Sequence, residues 1–133
     1  MSQENIEIVR KLSEEFSRGS MDAARPFFHP DITWHEDPSF PEAGVYRGID
    51  AVVEYSRQFI AEFSEIHYEV GECIDFGDDV IASMHIRGKG KTSGAIFELS
   101  AYWALTIRDH RVVRGFAYLD RNRALKAAGL LRE

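Results

Sequence analysis

The chain has 133 residues, enough for one domain that buries roughly two thirds of its unfolded surface without disulfides or metals. Apolar residues make up 44% and charged residues 29%, an ordinary globular balance that excludes fibrous and low-complexity classes. The 22 acidic residues outnumber the 16 basic ones, and a net charge of -6 leaves no cationic footprint for a nucleic-acid backbone or an anionic membrane.

The N-terminal stretch Met1 to Ile8 carries acidic residues where a secretory signal has basic ones. No apolar run approaches the roughly 18 residues of a membrane span, so a cytoplasmic protein is expected. Ile8, Val9, Leu12 and Phe16 recur at helical spacing and Gly19 follows as a stop, which defines a first amphipathic helix. Ser20 or Asp22 can cap a short second helix through Phe28, ended by His29-Pro30-Asp31 because proline disfavours helix in the residue before it. A short strand is expected from Asp31 to Glu36, then a loop with two prolines, then a third helix from about Ile49. Its apolar face takes Ile49, Val52, Val53, Ser56, Phe59, Ile60 and Phe63, with Glu54, Arg57, Gln58 and Glu62 elsewhere.

From Ile66 the period changes to two, predicting strands at Ile66–Phe76, Val80–Gly88, Ala95–Arg108 and Val112–Leu119. Gly77-Asp78-Asp79 and Asp109-His110 suit tight hairpins, and Gly88 to Gly94 suits a flexible one. A last helix is expected after Asp120, ending at Gly129. Helices gathered before a meandering antiparallel sheet define an α+β fold, with one domain over residues 1–133. Alternation points Val80, Ala82, Met84 and Ile86, and Phe97, Leu99, Ala101, Trp103, Leu105 and Ile107, toward the helices. In the last strand Val113, Gly115, Ala117 and Leu119 alternate with Arg114, Phe116 and Tyr118. If the small residues face inward they leave volume for a cavity beneath Trp103 and Met84. Tyr102, Phe116 and Tyr118 then form an outer aromatic patch of the kind that marks an interface.

Chemistry concentrates in the first strand, where Ile32, Trp34 and Glu36 share a face. If Trp34 packs inward, Glu36 goes with it, and a carboxylate among apolar side chains becomes a candidate general base or acid. The alternative is an exposed Glu36 at the strand end. Tyr46, in Gly44-Val45-Tyr46-Arg47-Gly48, is a candidate for the pocket mouth, with a ring to line it and a hydroxyl to donate. Tyr55, on the flank of the third helix, joins Trp34, Phe59, Phe63, Met84, Leu99, Trp103 and Ala117 as candidate walls for a flat, mostly apolar ligand. The same aromatic set is also what an ordinary core would contain. His35 and Asp37 share a strand face without a third and fourth ligand at suitable spacing, so no metal site is expected. His29, His67, His85 and His110 are expected to be structural, Arg47 to pair with surface acids, and Cys73 to be a small packed residue.

Three tracts, Phe28–Gly48, Ala101–Asp109 and Val113–Arg121, together resemble the SnoaL-like polyketide cyclase family, within the cone-shaped fold named after nuclear transport factor 2. The resemblance runs from the first helix to Gly129. It implies a curved, mainly antiparallel sheet wrapped around N-terminal helices, an internal pocket, a homodimer through the outer sheet face, and no metal or organic cofactor. It also implies that a pocket carboxylate abstracts a proton beside a carbonyl or activates water. Where relatives place an acid in the last strand this chain has Ala117, and where epoxide hydrolases place arginine and aspartate it has Met84 and Ile86. Those differences speak against epoxide hydrolysis. Three readings follow: a cofactor-independent enzyme doing proton-transfer chemistry of isomerase, cyclase or dehydratase type on a small apolar carbonyl or aromatic metabolite, a non-catalytic pocket for a small hydrophobic ligand, and a dimeric interaction module.

Overall fold

The structure, a computed structural model, describes residues 2–39 and 43–127. Helix α1 (Ser2–Arg18) presents Ile8, Val9, Leu12 and Phe16 to the core, all buried, at the spacing the sequence predicts. It ends in a Schellman motif: Gly19 at φ 73° donates to the Phe16 carbonyl and Ser20 to that of Glu15. The second helix is shorter than the sequence led us to expect. Helix α2 (Met21–Ala24) tightens into a 3-10 turn (Arg25–Phe27) with Pro26 near its start, and Phe28 already belongs to a strand. The Ser20 side chain makes no capping bond.

Strand β1 (Phe28–His35) therefore begins three residues earlier than expected and contains Pro30. The proline is tolerated because the pairing of β1 with its neighbour shifts register between Phe28 and Thr33, where no ladder donor is required. Strand β2 (Val45–Arg47) leads into helix α3 (Ile49–Ile60), whose Val52, Val53 and Ser56 are buried while Glu54, Arg57 and Gln58 are exposed. Phe63 does not extend the α3 stripe; it opens strand β3 (Phe63–Phe76). Strands β4 (Asp79–Gly90), β5 (Ile96–Arg108) and β6 (Arg111–Tyr118) continue the meander, and helix α4 spans Arg121–Ala127. The expected end of that helix at Gly129, and Pro41 of the two-proline loop, lie outside the described residues.

The six strands form one curved, mixed and mainly antiparallel sheet in the order β2-β1-β6-β5-β4-β3, with only the β1–β6 pair parallel. Chain reversal between β5 and β6 is made by Asp109 and His110 at φ 52° and 65°, so His110 takes a conformation usually left to glycine. The free edge of β3 is covered by α1: Ser17 Oγ accepts from the Tyr68 amide at 2.8 Å and so satisfies a donor that no strand takes.

Alternation predicts most of the inward face, with Val80, Ala82, Met84, Ile86, Ala101, Trp103 and Leu105 all buried. A register shift between Thr106 and Ile107 changes the rest. Val112, and not Val113, is fully buried, and Thr106 is buried where it donates to Asp79 Oδ1 at 2.6 Å. On the outer face, Ile81 is also buried, because Ala124 and Leu125 of α4 close over it. Tyr102 and Tyr118 pack against that same cluster, so α4 already covers part of the aromatic patch.

Candidate functional site

The concave face of the sheet, α1 and α3 line a partly open cavity of about 50 Å³. Trp34, Glu36, Tyr55, Phe59, Leu99, Trp103 and Ala117 line it, seven of the ten positions the sequence nominates. Tyr46, Phe63 and Met84 do not. Tyr46 stacks on the lining residue Tyr55 at 4.1 Å without itself lining the cavity. Phe63 packs on Phe59 and Phe97 at 5.4 and 5.2 Å, and Met84 is sealed in the core at 1% exposure. Both choices rested on facing direction alone, which does not tell how far along an element the cavity extends.

Five lining residues escaped the sequence reading: Phe16, Ser56, Tyr68, Ile86 and Ala101. Phe16 and Ser56 were on the predicted helical stripes, and Ile86 and Ala101 on the predicted inward faces, so each was legible as core. Tyr68 follows from the alternation Ile66, Tyr68, Val70 in β3, and it is the most informative omission because it is a lining residue with a phenol. Burial pushes its phenol far above the ordinary tyrosine range and the charge of Glu36 pushes it further, so Tyr68 stays protonated and able to donate.

The walls are built from rings that cross. Trp34 meets Trp103 edge-on at 5.5 Å and 89°, and Phe16 meets Tyr68 at 5.2 Å and 88°. Edge-to-face contact is a preferred packing of aromatic pairs. Trp34 on β1 lies directly opposite Gly115 on β6, where a Cβ would overlap the indole Cε3 and Cζ3. The volume that small β6 residues were expected to open is thus divided: the indole fills the space over Gly115, and the cavity keeps the space over Ala117.

Glu36 stands one residue beyond the end of β1, half-buried. Its amide donates to the Gly44 carbonyl at 3.0 Å, which holds the backbone against the loop entering β2. Its Oε2 accepts a 2.7 Å hydrogen bond from the indole Nε1 of Trp34. Glu36 is the one acid or base among the lining residues, so the cavity disfavours anions and suits a neutral or positively charged ligand.

The next residue behaves differently. Asp37 is 2% exposed, and its carboxylate accepts from the Ser39 and Leu119 amides at 2.8 and 2.9 Å, with Arg123 at 3.8 Å. Burial works against its ionisation, but the Leu119 and Ser39 bonds and the Arg123 charge outweigh it and hold the carboxyl below its usual range. His35 points to the outer side and stacks on Phe116 at 4.1 Å, where burial, then Arg47 and Arg114, lower its basicity. Among the described residues no cluster of His, Cys, Asp and Glu is arranged to hold a metal ion, and no helix is long and apolar enough to cross a membrane.

The family model of the SnoaL-like domain matches residues 9–115. An NTF2-like protein from Burkholderia xenovorans LB400 is similar at 29% identity, with 96% of this chain and 97% of that one covered and a TM-score of 0.72. An NTF2-like protein of unknown function from Burkholderia pseudomallei K96243 shares 19% identity over 98% of each chain at a TM-score of 0.76. A protein with a ketosteroid isomerase-like fold from Catenulispora acidiphila DSM 44928, in complex with trimethylamine, shares 18% identity over 94% of each chain at 0.76. No curated protein matches the chain.

Proposed function

Because the chain belongs to the SnoaL-like domain family, we propose that it is a cofactor-independent enzyme whose pocket takes a small, mostly apolar carbonyl or aromatic metabolite and moves a proton on it. The observation that carries this reading is the lining itself: a single carboxylate, Glu36, among aromatic and aliphatic walls that include Tyr68, whose phenol feels the Glu36 charge. In the proposed step the Glu36 carboxylate takes a proton from the carbon beside a carbonyl, and the electron pair of the broken C–H bond moves onto the carbonyl oxygen. Tyr68 donates to the enolate oxygen so formed, and Glu36 returns the proton at another position. This is chemistry of the isomerase, cyclase or dehydratase type, and a buried donor that stays protonated is worth most where charge develops.

The size of the cavity constrains the ligand. At about 50 Å³ it is smaller than the roughly 150 Å³ that accepts benzene in an apolar core. A monocyclic ligand therefore requires lining side chains to give way, and a small aliphatic ketone or enol fits with less adjustment. The absence of a second acid among the lining residues favours one alternative, binding without turnover, in which Glu36 anchors the polar end of the ligand. In both readings the protein works in the cytoplasm as a homodimer through the outer sheet face.

A thermal-shift panel of small ketones, enols, phenols and alkylamines tests the proposal, followed by turnover assays on each binder with Glu36→Gln alongside. The proposal expects a binder whose conversion disappears in the variant while binding is largely kept. Conversion unchanged in Glu36→Gln would end the catalytic assignment, and binding without conversion in either protein would leave the anchoring alternative.

A further inference from the structure

We infer that Gly115, Trp34 and Glu36 act as one positioning device, in which the missing side chain at 115 seats the Trp34 indole and the indole in turn holds the Glu36 carboxylate at the wall of the pocket. The inference rests on the reading of Glu36 as the working group of the cavity, and adds to it the residues that fix where that group stands.

The geometry leaves the indole little freedom. Trp34 and Gly115 are direct partners in the parallel β1–β6 pair, and a Cβ on Gly115 would overlap Cε3 and Cζ3 of the ring and lie 3.1 Å from Leu105 Cδ2. Trp103 stands edge-on to the indole at 5.5 Å from the β5 side. Nothing about the Gly115 backbone calls for glycine, since it is absent from the positions with positive φ. The close approach of the ring is the reason for the residue. Seated this way, the indole directs Nε1 along β1 to Glu36 Oε2 at 2.7 Å. The backbone on both sides of that carboxylate is tied down as well, by the Glu36 amide on Gly44 and by Asp37 on Leu119 and Ser39. A side chain beyond the end of a strand would otherwise sample several rotamers. Here the choice of residue on β6 selects the position of a carboxylate on β1. Alternatively, a buried tryptophan finds any acceptor for its N–H, and the bond is a by-product of packing. The two readings differ in what happens to Glu36 when residue 115 changes.

The two tryptophans give two indole N–H resonances, and Trp34→Phe identifies which is which. The device predicts that the Trp34 indole resonance follows one protonation event across the acid range, and that the titration vanishes in Glu36→Gln. In Gly115→Ala the resonance should lose its downfield, hydrogen-bonded position and the midpoint should move up by about one pH unit, as expected when a charge-assisted bond is lost. A Trp34 resonance that does not titrate, or that still titrates in Glu36→Gln, overturns the indole–carboxylate link. A Gly115→Ala protein with resonance and midpoint unchanged overturns the seat. Should Gly115→Ala fold poorly, the cycle with Trp34→Phe decides: the smaller ring relieves the overlap, so the loss in Tm caused by Gly115→Ala must be smaller in the Trp34→Phe background. Equal losses in both backgrounds contradict the device. None of these readings depends on a ligand, so a wrong functional assignment would be seen separately, as normal turnover in a Glu36→Gln protein whose indole titration had vanished as predicted.

Discussion

Aromatic rings line both faces of this sheet, but they are arranged in opposite ways. On the concave face Trp34 and Trp103 cross at 89° and Phe16 and Tyr68 at 88°, while on the outer face His35 lies parallel to Phe116 at 7° and Phe116 to Tyr118 at 4°. Crossed rings interlock and enclose volume. Parallel rings standing side by side make a flat strip, with Arg114 placed over Phe116 at 5.7 Å. The inner arrangement shapes a cavity around Glu36, and the flat outer one is the face proposed above as the dimer interface. The two carboxylates after β1 divide in the same way, with Glu36 turned to the cavity and Asp37 fastened to the Leu119 amide at the end of β6 and to the Ser39 amide in its own loop.

The largest expected effect comes from breaking the inner side. Glu36→Gln should lower turnover by about a hundredfold or more while leaving the melting temperature nearly unchanged, because Gln can still accept from the Trp34 indole. Loss of activity together with a large loss of stability would instead make Glu36 a structural group. Next in size is the anchor between the faces. Asp37→Ala strands two backbone amides and should cost about 2 to 3 kcal/mol in denaturant unfolding, with Asp37→Asn intermediate because one oxygen still accepts. A cost below a few tenths would mean that water replaces the carboxylate without penalty.

The outer strip sharpens the comparison with a smaller effect on folding. Phe116→Ala should weaken self-association in sedimentation while changing the Tm of the dilute protein only slightly, because Phe116 is half-buried and the inner core does not touch it. Unchanged association would move the proposed interface elsewhere. The smallest effects are those of pH. The native Asp37 carboxyl lies below its unfolded value, so its contribution is fully present above about pH 4 and is lost as pH falls toward the native value. The native His35 is also less basic than the unfolded residue, so stability should decline as pH falls through about 6.5. His35→Phe should flatten that second slope and leave the first in place, which unfolding measured between pH 3 and 8 would reveal.

The helices and the meander were legible because their periods are long and regular: the stripe through Ile8, Leu12 and Phe16 and the alternation through Val80 to Ile86 survive in the structure. What escaped were interruptions of period. Two residues of β6 compete for one register position, so Val112 displaces Val113, and α4 folds back over Ile81, which no local pattern encodes. At the site, facing direction placed Phe59, Leu99, Trp103 and Ala117, while Glu36 followed only if Trp34 packed inward and Tyr55 lay on the flank of the α3 stripe. The bond from Trp34 to Glu36 did not follow, since it depends on a ring orientation set by a glycine on a strand far along the chain. Tyr68 was missed because a tyrosine in an alternating strand looks like any other wall residue until its hydroxyl is placed.

The most direct test of the central claim is solvent deuterium exchange into a pocket ligand bearing a C–H next to a carbonyl, followed by NMR for the wild-type protein and Glu36→Gln at equal saturation. Exchange at one position is expected in the wild type and background exchange in the variant. Equal exchange in both proteins would contradict the claim.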